Sequence, residues 1–518
     1  MKEGKSLKEI NFRVMNVVSF SFLLRLLIEV WNNSPKDIIP LDLSSFIASA
    51  NQFLIDQTLY SSFFNINPPF LFEFYILFGK LFGFGFLGLK ILNVALVFGH
   101  FFFLKRILLR LNNQMIAFFA FNFAIALAYT KEAYQMFLSS ESIATWFMLF
   151  ALYLTTNTFL KIRTIIFIGV LIAFAMQTKE TYAFLIIFAI FACWCQDNSK
   201  FRKIWTLIIT VFLTNLSIFL FLFCFNELDD YWNVLDLKKN RFQLSDWKNS
   251  IITGIVFINR HIQLSGYFTI IVFTILIYLG AVRSSKSSIF SLDFSSSNYL
   301  LFLFLLSYAA IFVGLFWGNR NFANGHVFIT FLFPYILLMS FGFEYLMRYS
   351  QIERRTSYLV YAILVSTILI NLVEHNWHQS VGNSENVSRQ LHNYKVIERK
   401  NFMPESCIQN AYGWNSGAAY FHTGYRPCSK YFLLNLIIAD KKRLLEFKAD
   451  MISSAPRAII YEIDSGPDLN WKIFEKEVFP YQTILQICYD KAKGSDVYFA
   501  KFEGFSQGLC IRDASKKQ

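Results

Sequence analysis

Apolar runs of bilayer-spanning length recur through the first 375 residues, and they restrict what this chain can fold into. A helix needs about 20 apolar residues to cross the hydrocarbon core of a membrane. Inside that core every backbone N–H and C=O must find its partner within the segment, which selects helices. The runs lie at 14–31, 86–104, 115–130, 141–156, 164–178, 181–196, 204–225, 266–282, 298–317, 326–343 and 356–374. Only 16% of the 518 residues are charged, and mean hydropathy is +0.42. A soluble chain carries about 25% charged residues. The expected fold class is a polytopic α-helical membrane protein of about eleven spans.

The net charge of +13 is read in that light. On a soluble domain it would suggest nucleic acid. Here much of the excess sits in short loops between spans: Lys105-Arg106 with Arg110, Lys161 with Arg163, Arg202-Lys203, Arg283 with Lys286, and Arg348 with Arg354-Arg355. That is the positive-inside bias, so nucleic acid is excluded as a partner. With the N-terminus inside, every one of these loops is cytoplasmic, provided that 69–83 is not a span. That segment is short, opens with Pro68-Pro69 and carries Glu73 and Lys80. It reads as a helix at the outer interface, with proline suited to its first turn. The basic start Met1–Lys5 leads into an apolar run with no small-residue cleavage site after it, so the first span is expected to be retained.

The same parity places 32–85, 131–140, 226–265, 318–325 and everything after about 375 on the outer face. The chain changes character there. Residues 376–518 are polar, with β-like runs at Ala458–Tyr461 and Asp496–Ala500 and a helical stretch near 430–450. The expected organisation is a transmembrane domain over 1–375, with a first external loop at 32–85, followed by a small α/β domain over 376–518. Cys407, Cys428, Cys488 and Cys510 fall in that domain, and on an oxidising side they can form two bridges in three pairings. Cys193, Cys195 and Cys224 lie in or beside spans and read as apolar filler. No cysteine or histidine spacing matches a zinc site.

Asp42 is the first candidate for chemistry, because a carboxylate held where a span leaves the membrane is a functional candidate by default. The plainer alternative is a helix cap or a solvated loop acid. Glu141, in Ser139-Ser140-Glu141-Ser142, stands at the outer start of a span; the alternative there is an acid stabilising a helix N-terminus, with Ser140 as cap. Asp56 and Glu73 read as interfacial acids. Lys179, Arg320, Arg260 and His261 are expected on the outer face, where positive charge needs a reason. A phosphate group supplies one, since Arg binds phosphate bidentately and Lys as a point charge. The alternatives are pairing, for example Lys179 with Glu180, or snorkelling to the head groups. Tyr129, Tyr134, Tyr182, Tyr308 and Trp317 read as interface-belt or core aromatics. No phosphate-cradling glycine loop, serine triad or dinucleotide fingerprint occurs, which argues against a cytosolic nucleotide-dependent reaction.

The order of these features resembles one family. An outward span, Asp42, an amphipathic stretch over Phe46–Tyr60, Asn67-Pro68-Pro69 and a helix ending Phe82-Gly83-Phe84 are similar to the first external loop of the GT-C glycosyltransferases. The likeness is to the branch of bacterial aminoarabinose transferase and the protein O-mannosyltransferases. It continues at Gly88–Asn93, at Gln177-Thr178-Lys179-Glu180-Thr181, at Asn321, His326 and Phe333-Pro334, and in the tail at Ala411–Trp414, Tyr425-Arg426-Pro427 and Ala455–Ile460. The resemblance implies a GT-C fold and transfer of a sugar from a polyprenyl-phosphate donor on the outer face, with inversion. It implies Asp42 as general base, Glu141 orienting Asp42, the acceptor or an optional divalent cation, and Lys179, Arg320, Arg260 and His261 at the donor phosphate. A membrane-embedded cavity between apolar spans would hold the isoprenoid tail, membrane lipids are expected partners, and the acceptor stays open among lipid, glycan and protein. One departure stands out: many relatives carry an acidic pair where this chain has Asp42-Leu43. Two other classes fit the apolar pattern, a secondary transporter or lipid-linked-sugar flippase and a scaffold presenting the tail. The first usually shows paired repeats and broken midplane helices, which this sequence lacks.

Overall fold

The computed structural model describes residues 2–33, 41–56, 60, 67–111, 114–130, 138–156, 160–194, 199–241, 384–403, 405–410, 416–429, 431, 441–461 and 480–516, with 332, 333, 336, 337 and 340 between them. The expected spans at 266–282, 298–317 and 356–374 lie outside these residues, as do Arg260, His261 and Arg320, and 326–343 does so apart from the last five. The described chain forms two compact units.

The first unit takes in the described residues of 1–34, 89–218 and 243–377, and its secondary structure is helical. Each expected apolar run within it has become a helix: α1 (Lys2–Asn33), α4 (Phe86–Leu111, from its second turn), α5 (Gln114–Thr130), α6 (Ser140–Thr155), α7 (Ile162–Thr178), α8 (Leu185–Trp194) and α9 (Lys200–Cys224, its greater part). Arg13–Asn32, Phe86–Arg110 and Lys200–Cys224 are long and apolar enough to cross a membrane. The apolar stretches at Gln114–Ile125, Ile162–Thr178 and Tyr182–Trp194 are shorter. Small residues let the helices meet closely. A Cβ built on Gly99 of α4 would come within 2.1 Å of the Trp146 indole nitrogen on α6. One on Gly169 of α7 would lie 2.9 Å from the Thr210 side chain on α9. In lipid, where no hydrophobic effect drives helix association, such contacts and buried polar bonds hold a bundle together. The Gln177 amide, which donates to Asn215 Oδ1 at 2.6 Å, is one of these bonds.

The second unit combines three stretches distant in sequence: 35–88, 219–242 and 378–518. Its first part holds α2 (Leu41–Asp56) and α3 (Pro69–Phe82). Pro69 is at the helix start after an extended Pro68 (φ −63°, ψ 155°), a position where proline's fixed φ helps and its missing N–H costs nothing. α3 ends at Gly83, whose φ of +74° suits glycine and whose N–H bonds Gly79 O at 2.9 Å. At about 1.5 Å per residue its 14 residues reach about 21 Å, too short to span about 30 Å of hydrocarbon. α10 (Leu228–Arg241) follows the end of α9, and buried Glu227 just before it accepts the Tyr60 N–H at 2.7 Å.

The tail is an α/β domain. Its helices are α11 (Ser384–Glu398), α12 (Ser416–Thr423), α13 (Lys441–Ser454), α14 (Tyr481–Cys488) and α15 (Gly504–Ala514). Its strands are β1 (Cys407–Asn410), β2 (Arg426–Pro427), β3 (Ala458–Ile460), β4 (Tyr489–Lys491) and β5 (Val497–Ala500), in the order β2-β1-β3-β5-β4. β2, β1 and β3 run parallel; β5 and β4 join antiparallel. β1 and β3 are buried along their whole length, as strands covered on both faces must be. The core around Ile408, Ala419, Ala458, Ile460 and Val497 includes Ala48, so α2 packs on the tail domain as part of its core. The cysteines choose one of the three pairings, Cys407–Cys428 and Cys488–Cys510. The Arg389 guanidinium grips Asp496 bidentately at 2.6 and 2.9 Å, and Asn393 accepts the Asp496 N–H at 3.0 Å. Burial works to raise the Asp496 carboxyl, but Arg389 and Asn393 outweigh it and hold it below the usual carboxylate range.

Candidate functional site

The Glu141 and Lys179 side chains, 38 residues apart in sequence, meet in the first unit. Lys179 Nζ lies 2.6 Å from Glu141 Oε1. Each position follows from a local rule. α6 begins at Ser140 because Ser139, in extended conformation, caps it and accepts the Ser142 N–H at 3.2 Å. The cap is therefore Ser139 and not the expected Ser140. Two adjacent serines offer the same chemistry, and only backbone geometry chooses between them. Ser140 turns instead to Glu141, donating to Oε2 at 2.9 Å. Glu141 thus stands in the first turn of α6, where the helix dipole favours its charge, and its side chain is only 9% exposed.

Lys179 stands at a break in the apolar sequence. α7 stops at Thr178, Lys179 adopts an extended backbone (φ −152°, ψ 115°), and a 3₁₀ turn over Glu180–Phe184 leads into α8. The break lets the lysine reach the start of α6 and pair with Glu141; the pairing weighed from sequence as the alternative to a phosphate contact was with its neighbour Glu180. Its side chain keeps 30% of its surface exposed. Tyr182, three residues on, is fully buried, as expected of a core aromatic, but its hydroxyl is engaged in the site. It lies 2.5 Å from Thr145 Oγ1, and both hydroxyls reach the Glu141 main-chain carbonyl, at 3.3 and 2.7 Å. One hydroxyl can donate to the carbonyl while the other donates to its neighbour. On the far side of the same turn, His100 Nε2 lies 2.9 Å from Ser142 O, fastening α4 to α6. Sequence reasoning missed Thr145 and the role of Tyr182. The available signal was spacing: Thr145 is one helical turn beyond Glu141, and Tyr182 one 3₁₀ turn beyond Lys179.

The acids of the segment between α1 and α4 belong to the second unit. Asp42 is the second residue of α2 and Asp56 the last. Glu73 is half-buried on α3; its Oε1 has no hydrogen-bond partner among the described residues, and burial pushes its carboxyl up to about 7. No cluster of three or more His, Cys, Asp or Glu able to hold a metal occurs among the described residues.

Chemically, the pair is a cation held in place by a buried anion. Glu141 is fixed by the α6 N-terminus and Ser140, and it anchors an ammonium that remains accessible. Such a group suits an anionic ligand that must be bound without proton transfer.

No protein-family model and no curated protein matches the sequence. Solved structures do. The chain is similar to aminoarabinose transferase (ArnT) from Cupriavidus metallidurans bound to undecaprenyl phosphate, with a TM-score of 0.54 at 9% identity, covering 92% of this chain and 97% of that one. The apo state of the same protein gives 0.53 at 9% identity, with 94% and 98% covered. This chain has the GT-C fold. The match covers more than nine tenths of the chain, so it takes in parts of both the helical region and the α/β tail. The apo oligosaccharyltransferase of Archaeoglobus fulgidus is more distant, at a TM-score of 0.48 and 12% identity over 86% of this chain and 70% of that one.

Proposed function

We propose that this GT-C protein is an integral-membrane glycosyltransferase that moves a sugar from a polyprenyl-phosphate donor to an acceptor hydroxyl on the outer face of the membrane. The observation that carries the reading is the Lys179–Glu141 pair at the break between two apolar helices. A buried carboxylate holding a part-exposed ammonium where apolar helices end suits an anionic lipid head group. The fold supports it at the level of analogy, since the similar aminoarabinose transferase is bound to undecaprenyl phosphate. The two disulfides support an outer location for the tail, because such bonds persist in oxidising compartments.

In the proposed reaction the acceptor oxygen attacks the anomeric carbon as the bond to the phosphate oxygen breaks, with inversion. The leaving phosphate remains on the lipid and needs no proton. It does need positive charge as its own develops, and Lys179, steered by Glu141, supplies it; Arg320, Arg260 and His261 are further proposed contacts. The acceptor hydroxyl has a high pKa and must lose its proton to a positioned base, the role proposed for Asp42.

The test is a transfer assay in membranes with a panel of polyprenyl-phosphate sugars, comparing wild type with Asp42→Asn. The variant is nearly isosteric and should insert normally while losing most transfer, about 100-fold or more for a lost general base. Near-normal transfer by that variant refutes the assignment. A protein that carries the donor across the bilayer without breaking its glycosidic bond would be a flippase instead.

A further inference from the structure

A cavity of about 250 Å³ lies within the second unit, between α2, the turn before α4 and the tail domain. α2 turns one face to it: positions 47, 48, 51 and 52 are one helical turn apart in pairs, and the second pair brings the two amides Asn51 and Gln52. The tail contributes Phe421, Tyr425 and Arg426. The Tyr425 hydroxyl is already committed, donating to Phe402 O at 3.2 Å, so what it offers the cavity is its ring. Phe421 is braced edge-on by Phe86, with ring centroids 5.7 Å apart. The walls thus combine rigid aromatic faces with amides and a guanidinium. An acyl chain has no use for the amides and the guanidinium. A sugar ring uses both kinds of wall, since it has apolar C–H faces for aromatic rings and hydroxyls for amide and guanidinium donors.

We propose that this cavity is an acceptor subsite that binds one ring of a saccharide, an inference that rests on the glycosyltransferase reading. Positions 47 and 51 follow Asp42 by five and nine residues, about 140° and 180° around α2, so the cavity lies on the face of the helix away from position 42 and a ring in it is not the ring being glycosylated. A cavity of this volume falls just under the usual range for small-molecule sites, as fits a single ring of a longer ligand.

Gly85 offers a way to block the site. It lines the cavity, and a Cβ built on it meets no atom within 4 Å, so a side chain there starts in open space. The experiment uses the full-length protein in detergent micelles and saturation-transfer NMR with cellobiose, maltose and N,N′-diacetylchitobiose as probes. At least one disaccharide should receive saturation from wild type. Gly85→Leu and the exposed Arg426→Ala should each weaken that binding about tenfold, the effect of losing one good polar contact or its space. Both variants are checked for wild-type gel filtration, and either alone suffices. No transfer of saturation to any probe, or equal transfer in both variants, overturns the subsite. Binding requires no donor, so this outcome is independent of the Asp42→Asn assay. Full transfer by Asp42→Asn with intact sugar binding would overturn the catalytic reading alone.

Discussion

The Lys179–Glu141 pair can be weighed directly with a double-mutant cycle. At 2.6 Å, two unit charges in an effective dielectric of about 20 attract by about 6 kcal/mol. Most of that is offset by taking both groups out of water. What remains for a charge-assisted hydrogen bond is about 1.5–3 kcal/mol. Lys179 keeps 30% of its side-chain surface exposed, so solvent screens part of it, and a coupling of about 1–2 kcal/mol is expected. The cycle compares Glu141→Gln, Lys179→Met and the double variant by SDS-induced unfolding in mixed micelles. Gln keeps the shape and the Ser140 contact while removing the charge, and Met keeps the lysine stem. If the pair positions Lys179 for a donor phosphate, Glu141→Gln should also raise the donor KM by about 5–30-fold, the same 1–2 kcal/mol expressed in binding. A coupling below about 0.3 kcal/mol, the level of an exposed ion pair on a helix, refutes the argument that a buried carboxylate holds this lysine.

Three further outcomes are expected. Removing either disulfide, by Cys407→Ser with Cys428→Ser or by Cys488→Ser with Cys510→Ser, should lower tail-domain stability by about 3 kcal/mol, from loops closed over separations of 21 and 22 residues; limited proteolysis of the tail with and without reductant would measure it. Asp496, held below its ordinary value of 3.8, contributes stability that is complete above that value and is lost as pH falls through the lowered one, so the tail should destabilise in acid and Asp496→Asn should flatten that limb of the melting-versus-pH curve. Gly99→Leu forces atoms into the space of the Trp146 indole and should cost about 1–3 kcal/mol, seen as a lower melting temperature in detergent, while Gly85→Leu should not.

The parts of this protein that are local in sequence were legible before any coordinates. Apolar length alone marked α4 to α9 as helices, because a helix satisfies its own backbone wherever it lies. Pro68-Pro69 and Gly83 marked both ends of α3, because proline and glycine act through their own φ angles. Ala458–Ile460 and Val497–Ala500 were legible as strands from their β-branched and aromatic residues. The two-residue β2 and the polar β4 were not, since strands so short are made by their neighbours and not by propensity. Everything that depends on which distant residues meet came from the tertiary structure. Residues 141 and 179 were each noticed for their charge, but only the break after α7 and the packing of α6 on α7 make them a pair. Four cysteines allowed three pairings until the sheet order selected one. The first external loop looked like an appendage of the membrane spans, yet Ala48 on α2 is buried in the core of the tail domain. Periodicity and propensity read along the chain, whereas ion pairs, bridges and shared cores are made across it.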